Sequence, residues 1–99
     1  MKTPKKIMRA ARGQACTLAI PNVCNHNPET VVFCHHSDGT GGSNTLSGPL
    51  SGGFGCSSCH SEIDMRTFKG TTQQDLEFYK RRSMIRTINK LIEMGLVKL

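Results

Sequence analysis

Apolar residues in this chain come in short runs separated by polar and glycine-rich stretches. Residues 1–13 are basic, and their pattern predicts a loose arm with at most a turn of helix from Ile7 to Arg12, stopped by Gly13. Cys16 to Ile20 is short and apolar enough for a strand. Pro21-Asn22 marks a turn and Asn25 to Pro28 a second one. Thr30 to His35, β-branched and aromatic, is the strongest predicted strand. From Ser37 to Gly55, seven of 19 residues are Gly, four are Ser and one is Pro, which predicts a long loop that builds no core and is either functional or mobile. Cys56 to Arg66 reads as a helix, with Ser57 or Ser58 as its N-cap. Residues 72–94 predict the longest helix: Leu76, Tyr79, Ile85, Ile88, Leu91 and Ile92 recur at mostly helical spacing. Thr72 with Asp75 gives it a capping pattern, and Gly95 is placed to end it. Leu96 to Leu99 would add a short terminal strand.

Length and composition limit what such elements can build. The 99 residues include 5% aromatic residues and no Trp, so one small domain with a modest core is expected. The division expected is a basic N-terminal arm at 1–13 and a single domain at 14–99. No apolar run approaches the roughly 20 residues of a membrane helix. The basic start has no apolar stretch behind it, which excludes a secretory signal and points to the cytoplasm. In a reducing compartment the five Cys are metal ligands or free thiols rather than bridges.

The net charge of +6 is unevenly spread. Residues 35–64 contain no Lys or Arg and three acids, Asp38, Glu62 and Asp64, whereas both flanks are basic. Three of the four His and three of the five Cys lie between Cys34 and Asp64. A cation in the centre and a polyanion across the flanks fit that distribution.

Cys56-Ser57-Ser58-Cys59 is a C-x2-C knuckle, whose turn directs backbone N–H groups at two sulfurs. Cys16 and Cys24, around the Pro21 turn, supply a second pair. The expectation is a structural zinc ion held by Cys16, Cys24, Cys56 and Cys59, which would contribute folding free energy directly. Cys34 is left as a buried free thiol. Cys56 to His60 also reads C-x-x-C-H, the attachment pattern of c-type haem. That chemistry requires export and leaves Cys16 and Cys24 unexplained. A thioredoxin-like redox site would need a βαβ pattern around the knuckle, which the sequence lacks.

His60 and Asp64 are four residues apart on a predicted helix, so they share a face. An imidazole and a carboxylate there can reach one divalent cation, Mg²⁺, Mn²⁺ or Zn²⁺. His35 and His36 close the best strand and could face them. A divalent ion with open positions, next to a spare neutral imidazole, can hydrolyse a phosphodiester. His26, in a turn, reads as surface.

His35-His36, a Gly-rich loop, and Cys56-Ser57-Ser58-Cys59-His60-Ser61-Glu62-Ile63-Asp64 together resemble the HNH endonucleases, whose ββα-metal motif puts a His at a strand end, an Asn in a loop and a His or Asn on a helix. Many members add C-x-x-C knuckles. The match is closer to a small prophage-encoded branch, the YbcO-like nucleases, through Ala11-Arg12-Gly13, Cys16, Ile20 to Asn25, Asn27 to Thr30, the His35 strand end, Cys56 to Asp64 and Arg86-Thr87. It covers roughly residues 9–99. The resemblance implies a small zinc-stabilised α+β domain of the ββα-metal type with an added C-terminal helix. It matches His35 to the general base and His60 and Asp64 to ligands of the catalytic metal. In members with a paired His the first binds metal and the second is the base, which would exchange His35 and His36. Asn44 is the candidate for the middle Asn, and Asp64 stands where many members have His or Asn.

The functional expectation is a metal-dependent endonuclease of phage or prophage origin, working in a bacterial cytoplasm on nucleic acid, foremost double-stranded DNA. Two alternatives are a non-catalytic, zinc-stabilised nucleic-acid-binding module and a protein adaptor that uses the 72–94 helix as its partner surface.

Overall fold

The computed structural model describes residues 3–36, 48–64 and 71–99. Their order is α1 (Lys5–Ala10), a single 3₁₀ turn at Pro28–Thr30, β1 (Val32–His35), β2 (Gly52–Gly55), α2 (Ser57–Ile63) and α3 (Gln73–Glu93). Within segment 1–13, read from sequence as a loose arm, α1 packs inward: Ile7, and Ala11 just past the helix end, are buried in the core. Cys16 to Ile20 forms no strand; it is an irregular segment.

The partner of β1 comes from the far end of the glycine-rich interval. β1 and β2 pair antiparallel, with Val32 opposite Gly55, Phe33 opposite Phe54, Cys34 opposite Gly53 and His35 opposite Gly52. Every residue of β2 is buried and Phe54 is fully enclosed. The expectation that residues 37–55 build no core is therefore wrong at its C-terminal end. Composition misled because the glycines are there to be approached. A Cβ at Gly53 would collide with Ser83 Oγ of α3 and sit 3.0 Å from Thr87 Oγ1.

That close contact also corrects the reading of α3. Its buried residues are Leu76, Ser83, Thr87 and Leu91, while Ile85 is exposed. Small hydroxyl side chains face the glycine strand, and a hydrogen-bond network satisfies them. Thr17 Oγ1 donates to the Phe54 carbonyl at 2.8 Å, so it accepts from the Ser83 hydroxyl at 2.6 Å and the Thr87 hydroxyl at 3.0 Å. Thr87 Oγ1 in turn accepts from the Phe54 N–H at 2.9 Å. Buried polar atoms paired in this way carry no desolvation penalty left unmet.

The helix ends follow local chemistry. Thr72 caps α3 by accepting from the Asp75 N–H at 3.1 Å. At the other end Gly95 adopts φ 77°, and the N–H groups of Gly95 and Leu96 reach back to the carbonyls of Ile92 and Leu91. This left-handed closure turns Leu96 and Val97 back against the core, and residues 96–99 do not form the expected strand. α2 is capped by Cys56, not by a serine: the Cys56 sulfur accepts from the Cys59 N–H at 3.4 Å. Residues 65 and 66, expected at the end of that helix, lie outside the described residues.

Candidate metal centre and strand-end histidines

Cys16 and Cys24 lie in the irregular segment before β1, and Cys56 and Cys59 open α2. Their four Sγ atoms lie within 4.8 Å of one another. Cys24 and Cys56 sulfurs are 3.8 Å apart. Zn–S bonds of about 2.3 Å at the tetrahedral angle require a separation of roughly 3.8 Å, so this donor set fits a zinc ion. Backbone N–H groups support the sulfurs. Cys16 Sγ accepts from the N–H groups of Ala19 and Cys56, both at 3.3 Å. These amide bonds need the chain to turn sharply after Cys16, and Ala19 has φ 44°.

The thiols titrate against one another. A hydrogen bond from Cys59 holds the Cys16 thiol well below its ordinary value, and the same bond, with burial, pushes Cys59 up. Burial also raises Cys24. One thiolate therefore forms readily and its neighbours resist, Cys59 through the hydrogen bond it gives and Cys24 through burial, with repulsion from the Cys16 charge adding to both. A divalent cation among the sulfurs would relieve that repulsion. Cys34 is not in the group: it is fully buried in the core, and burial pushes its thiol up to about 12.

The two strand-end histidines sit on opposite faces of β1, because successive side chains in a strand alternate. His35 lies on the Phe33 face, its ring edge-on to Phe33 at 5.4 Å. Thr3 Oγ1 is 2.7 Å from the Pro49 carbonyl, which can only accept, so the hydroxyl proton goes there. The hydroxyl oxygen then accepts from His35 Nε2–H at 2.9 Å, which leaves the lone pair on Nδ1. The ring is exposed to solvent.

His36 continues the Cys34 face, the one that meets α3 through Gly53. It is 3% exposed, and among the described residues neither Nδ1 nor Nε2 has a well-aligned hydrogen-bond partner; the His35 backbone is the nearest polar group acting on the ring. Burial lowers its imidazole to about 4, and the nearby charges of Lys80, His35 and His60 act in the same direction. His60 and Asp64 are paired, Nε2 to Oδ2 at 3.2 Å, each side chain about one-third exposed. The negative charge of Asp64 is one of the influences that raise the Cys34 thiol. Charge links these groups at a distance, His60 acting on His36 and Asp64 on Cys34, but among the described residues His36, His60 and Asp64 are not gathered within ligand distance as the four cysteines are. His26 is exposed, and Asn44 lies outside the described residues.

Three contributors were not found from sequence. Thr3 orients His35 across 32 residues of chain, a separation with no sequence signature. Lys80 falls on the inward stripe of α3 between Leu76 and Ser83, paired with Glu77 at 3.5 Å; a lone charge on such a stripe was the available clue. Arg82 Nη2 donates to the carbonyls of Leu18 and Ala19, at 2.8 and 3.4 Å, and so ties α3 to the sulfur-bearing segment.

Comparison with known proteins adds three findings. The family model described as "Putative nuclease YbcO" matches residues 5–96. Two curated relatives, "Putative nuclease YbcO" of Escherichia coli (strain K12) and "Putative nuclease ybcO" of Enterobacteria phage 82, are each 47% identical over 62 residues. That match covers 62% of this chain and 65% of each relative's length, just short of two thirds. A solved structure, "Structure of a putative bacteriophage protein from Escherichia coli str. K-12 substr. MG1655", superposes with a TM-score of 0.74 at 34% identity, covering 89% of this chain and 98% of that one.

Proposed function

This chain belongs to the YbcO family, and from that premise we propose that it is a metal-dependent endonuclease of the HNH type that hydrolyses phosphodiester bonds in double-stranded DNA. The observation that carries the reading is His36. A buried imidazole with two unpartnered nitrogens is costly unless something else engages it. Its depressed basicity keeps it neutral at pH 7, the form that ligates a metal.

His36, His60 and Asp64 are the proposed ligands. Two donors about 2.1 Å from an octahedral ion and at right angles to each other sit roughly 3.0 Å apart, close to the 3.2 Å between His60 Nε2 and Asp64 Oδ2. A divalent cation held there would supply charge neutralisation for the scissile phosphodiester and a more acidic water. His35 is the proposed proton acceptor; because it lies on the other face of β1 from His36, the ion would have to sit past the strand's end for both imidazoles to act on one water. Thr3 fixes its tautomer, so Nδ1 takes the proton from the attacking water. The order of β1, β2 and α2, two antiparallel strands followed by the helix with His60 and Asp64, supports a ββα-metal arrangement. The zinc ion proposed at the four sulfurs would hold α2 against the segment that precedes β1. The relatives' names support a nuclease, and the phage 82 relative supports a phage or prophage origin. No helix among the described residues is long and apolar enough to cross a membrane.

The test is nicking of supercoiled plasmid by zinc-loaded protein with Mg²⁺, Mn²⁺ or added Zn²⁺. His36→Ala should lose both cleavage and binding of the second metal, whereas His35→Ala should keep the metal and lose cleavage. Folded, zinc-loaded protein that binds DNA but cuts under none of these metals would replace this proposal with the non-catalytic binding module.

A further inference from the structure

α3 carries a second surface that takes no part in the metal chemistry above. Phe78 and Ile85 are 51% and 58% exposed, unusual for large apolar side chains on a charged helix. With Arg81, Arg82 and Arg86 they line a cavity of about 290 Å³. The floor of this cavity is pre-ordered. The Arg82 guanidinium lies 5.4 Å from the Phe78 ring centroid and 5.1 Å from that of Tyr79. The two rings meet edge to face at 5.6 Å. Arg82 is itself pinned by its bonds to Leu18 and Ala19. Cation and ring are therefore held in place before any partner arrives.

The charge on this face is one-sided. Of the acids on α3, Glu77 and Glu93 are engaged by Lys80 at 3.5 Å and Lys90 at 3.3 Å, and Asp75, in the first turn, is not part of the cavity lining. Arg81 and Arg86 have no carboxylate partner among the described residues. A second copy of the chain packed here about a two-fold axis would set these arginines against themselves, at a repulsive cost. An anionic partner with flat apolar groups fits both features. Duplex DNA offers the charge but keeps its base faces stacked, whereas an unpaired strand offers both.

We propose that this face binds an unpaired nucleic-acid strand, with one base against Phe78 and Ile85 and the flanking phosphates on Arg81 and Arg86. The inference rests on nucleic acid being the substrate and adds that DNA with a single-stranded segment is preferred over a continuous duplex. Binding can be read without cleavage, so the two claims fail separately.

The experiment is fluorescence anisotropy on the full zinc-loaded chain, with no other divalent metal added. The probes are a short labelled oligothymidylate and a blunt duplex of equal length. Phe78→Ala should weaken single-strand binding roughly 5- to 100-fold, the range for loss of base stacking, and leave the duplex within about twofold. Arg86→Gln should weaken both probes and reduce the salt slope by about one. Both side chains are exposed, and thermal melts should match the parent. Unchanged oligothymidylate affinity in Phe78→Ala overturns the proposal, while plasmid nicking still tests the nuclease independently. Sedimentation showing a dimer that Ile85→Asp converts to monomer also overturns it, in favour of a self-interface.

Discussion

Gly53 lies directly against Ser83, so that no side-chain carbon at position 53 can coexist with the Ser83 hydroxyl. β2 and α3 are in contact with nothing between them. Gly53→Ala should therefore overpack the junction and destabilise the chain by about 1–3 kcal/mol. The melting temperature should fall by roughly 4–8 °C for each kcal/mol. Adding Ser83→Gly should restore part of the loss, because the two positions share one contact. A Gly53→Ala melt that overlays the parent would refute the contact.

Metal analysis separates the cysteines. The parent should hold about one zinc per chain at the four sulfurs, and Cys56→Ser should lose it together with cooperative unfolding. Cys34→Ala should keep the zinc, since Cys34 stands apart from the group. Equal zinc loss in both variants would mean that the ligand set is wrong.

Thr3→Val removes the acceptor that holds His35 Nε2–H. A hydrogen bond of this kind contributes about 1 kcal/mol, so nicking should slow by roughly fivefold. Metal content should be untouched, because Thr3 contacts neither ligand group. A rate equal to the parent would show that the orientation of His35 does not matter to the reaction.

Acid should destabilise the fold through His36. In the unfolded chain this group takes its proton near the ordinary 6.5; in the folded chain burial lowers it to about 4. Between those values the unfolded chain binds more protons. Stability is thus fully present above pH 6.5, falls as the pH drops, and levels off below about 4. The loss amounts to about 3 kcal/mol. Denaturant melts of His36→Gln across this window should be flatter than those of the parent. Parallel curves would remove His36 as the source.

The sequence was readable where the signal was local. Thr72 and Gly95 bound α3 because capping depends on neighbours a few residues away. Cys56-x-x-Cys59 was visible for the same reason. Gly52–Gly55 was missed because its role depends on a helix that begins 18 residues after the strand ends, and nothing within Gly-Gly-Phe-Gly advertises a buried strand. Ser83 and Thr87 were passed over for Ile85 because hydrophobicity ranks them wrongly wherever a helix meets bare backbone. The opposite faces of His35 and His36 do follow from strand alternation. What sequence could not supply was which face meets α3, since that is fixed by the glycine at position 53.

The four sulfurs are drawn from before β1 and after β2, and Cys24 and Cys56 enclose the strand pair in a covalent span of 32 residues. A bound cation would close that span as a cross-link does, restricting the denatured chain more than the native one. A zinc ion there would be a staple through the domain itself. Withdrawing the ion should then dismantle the strand-end histidines along with the knuckle.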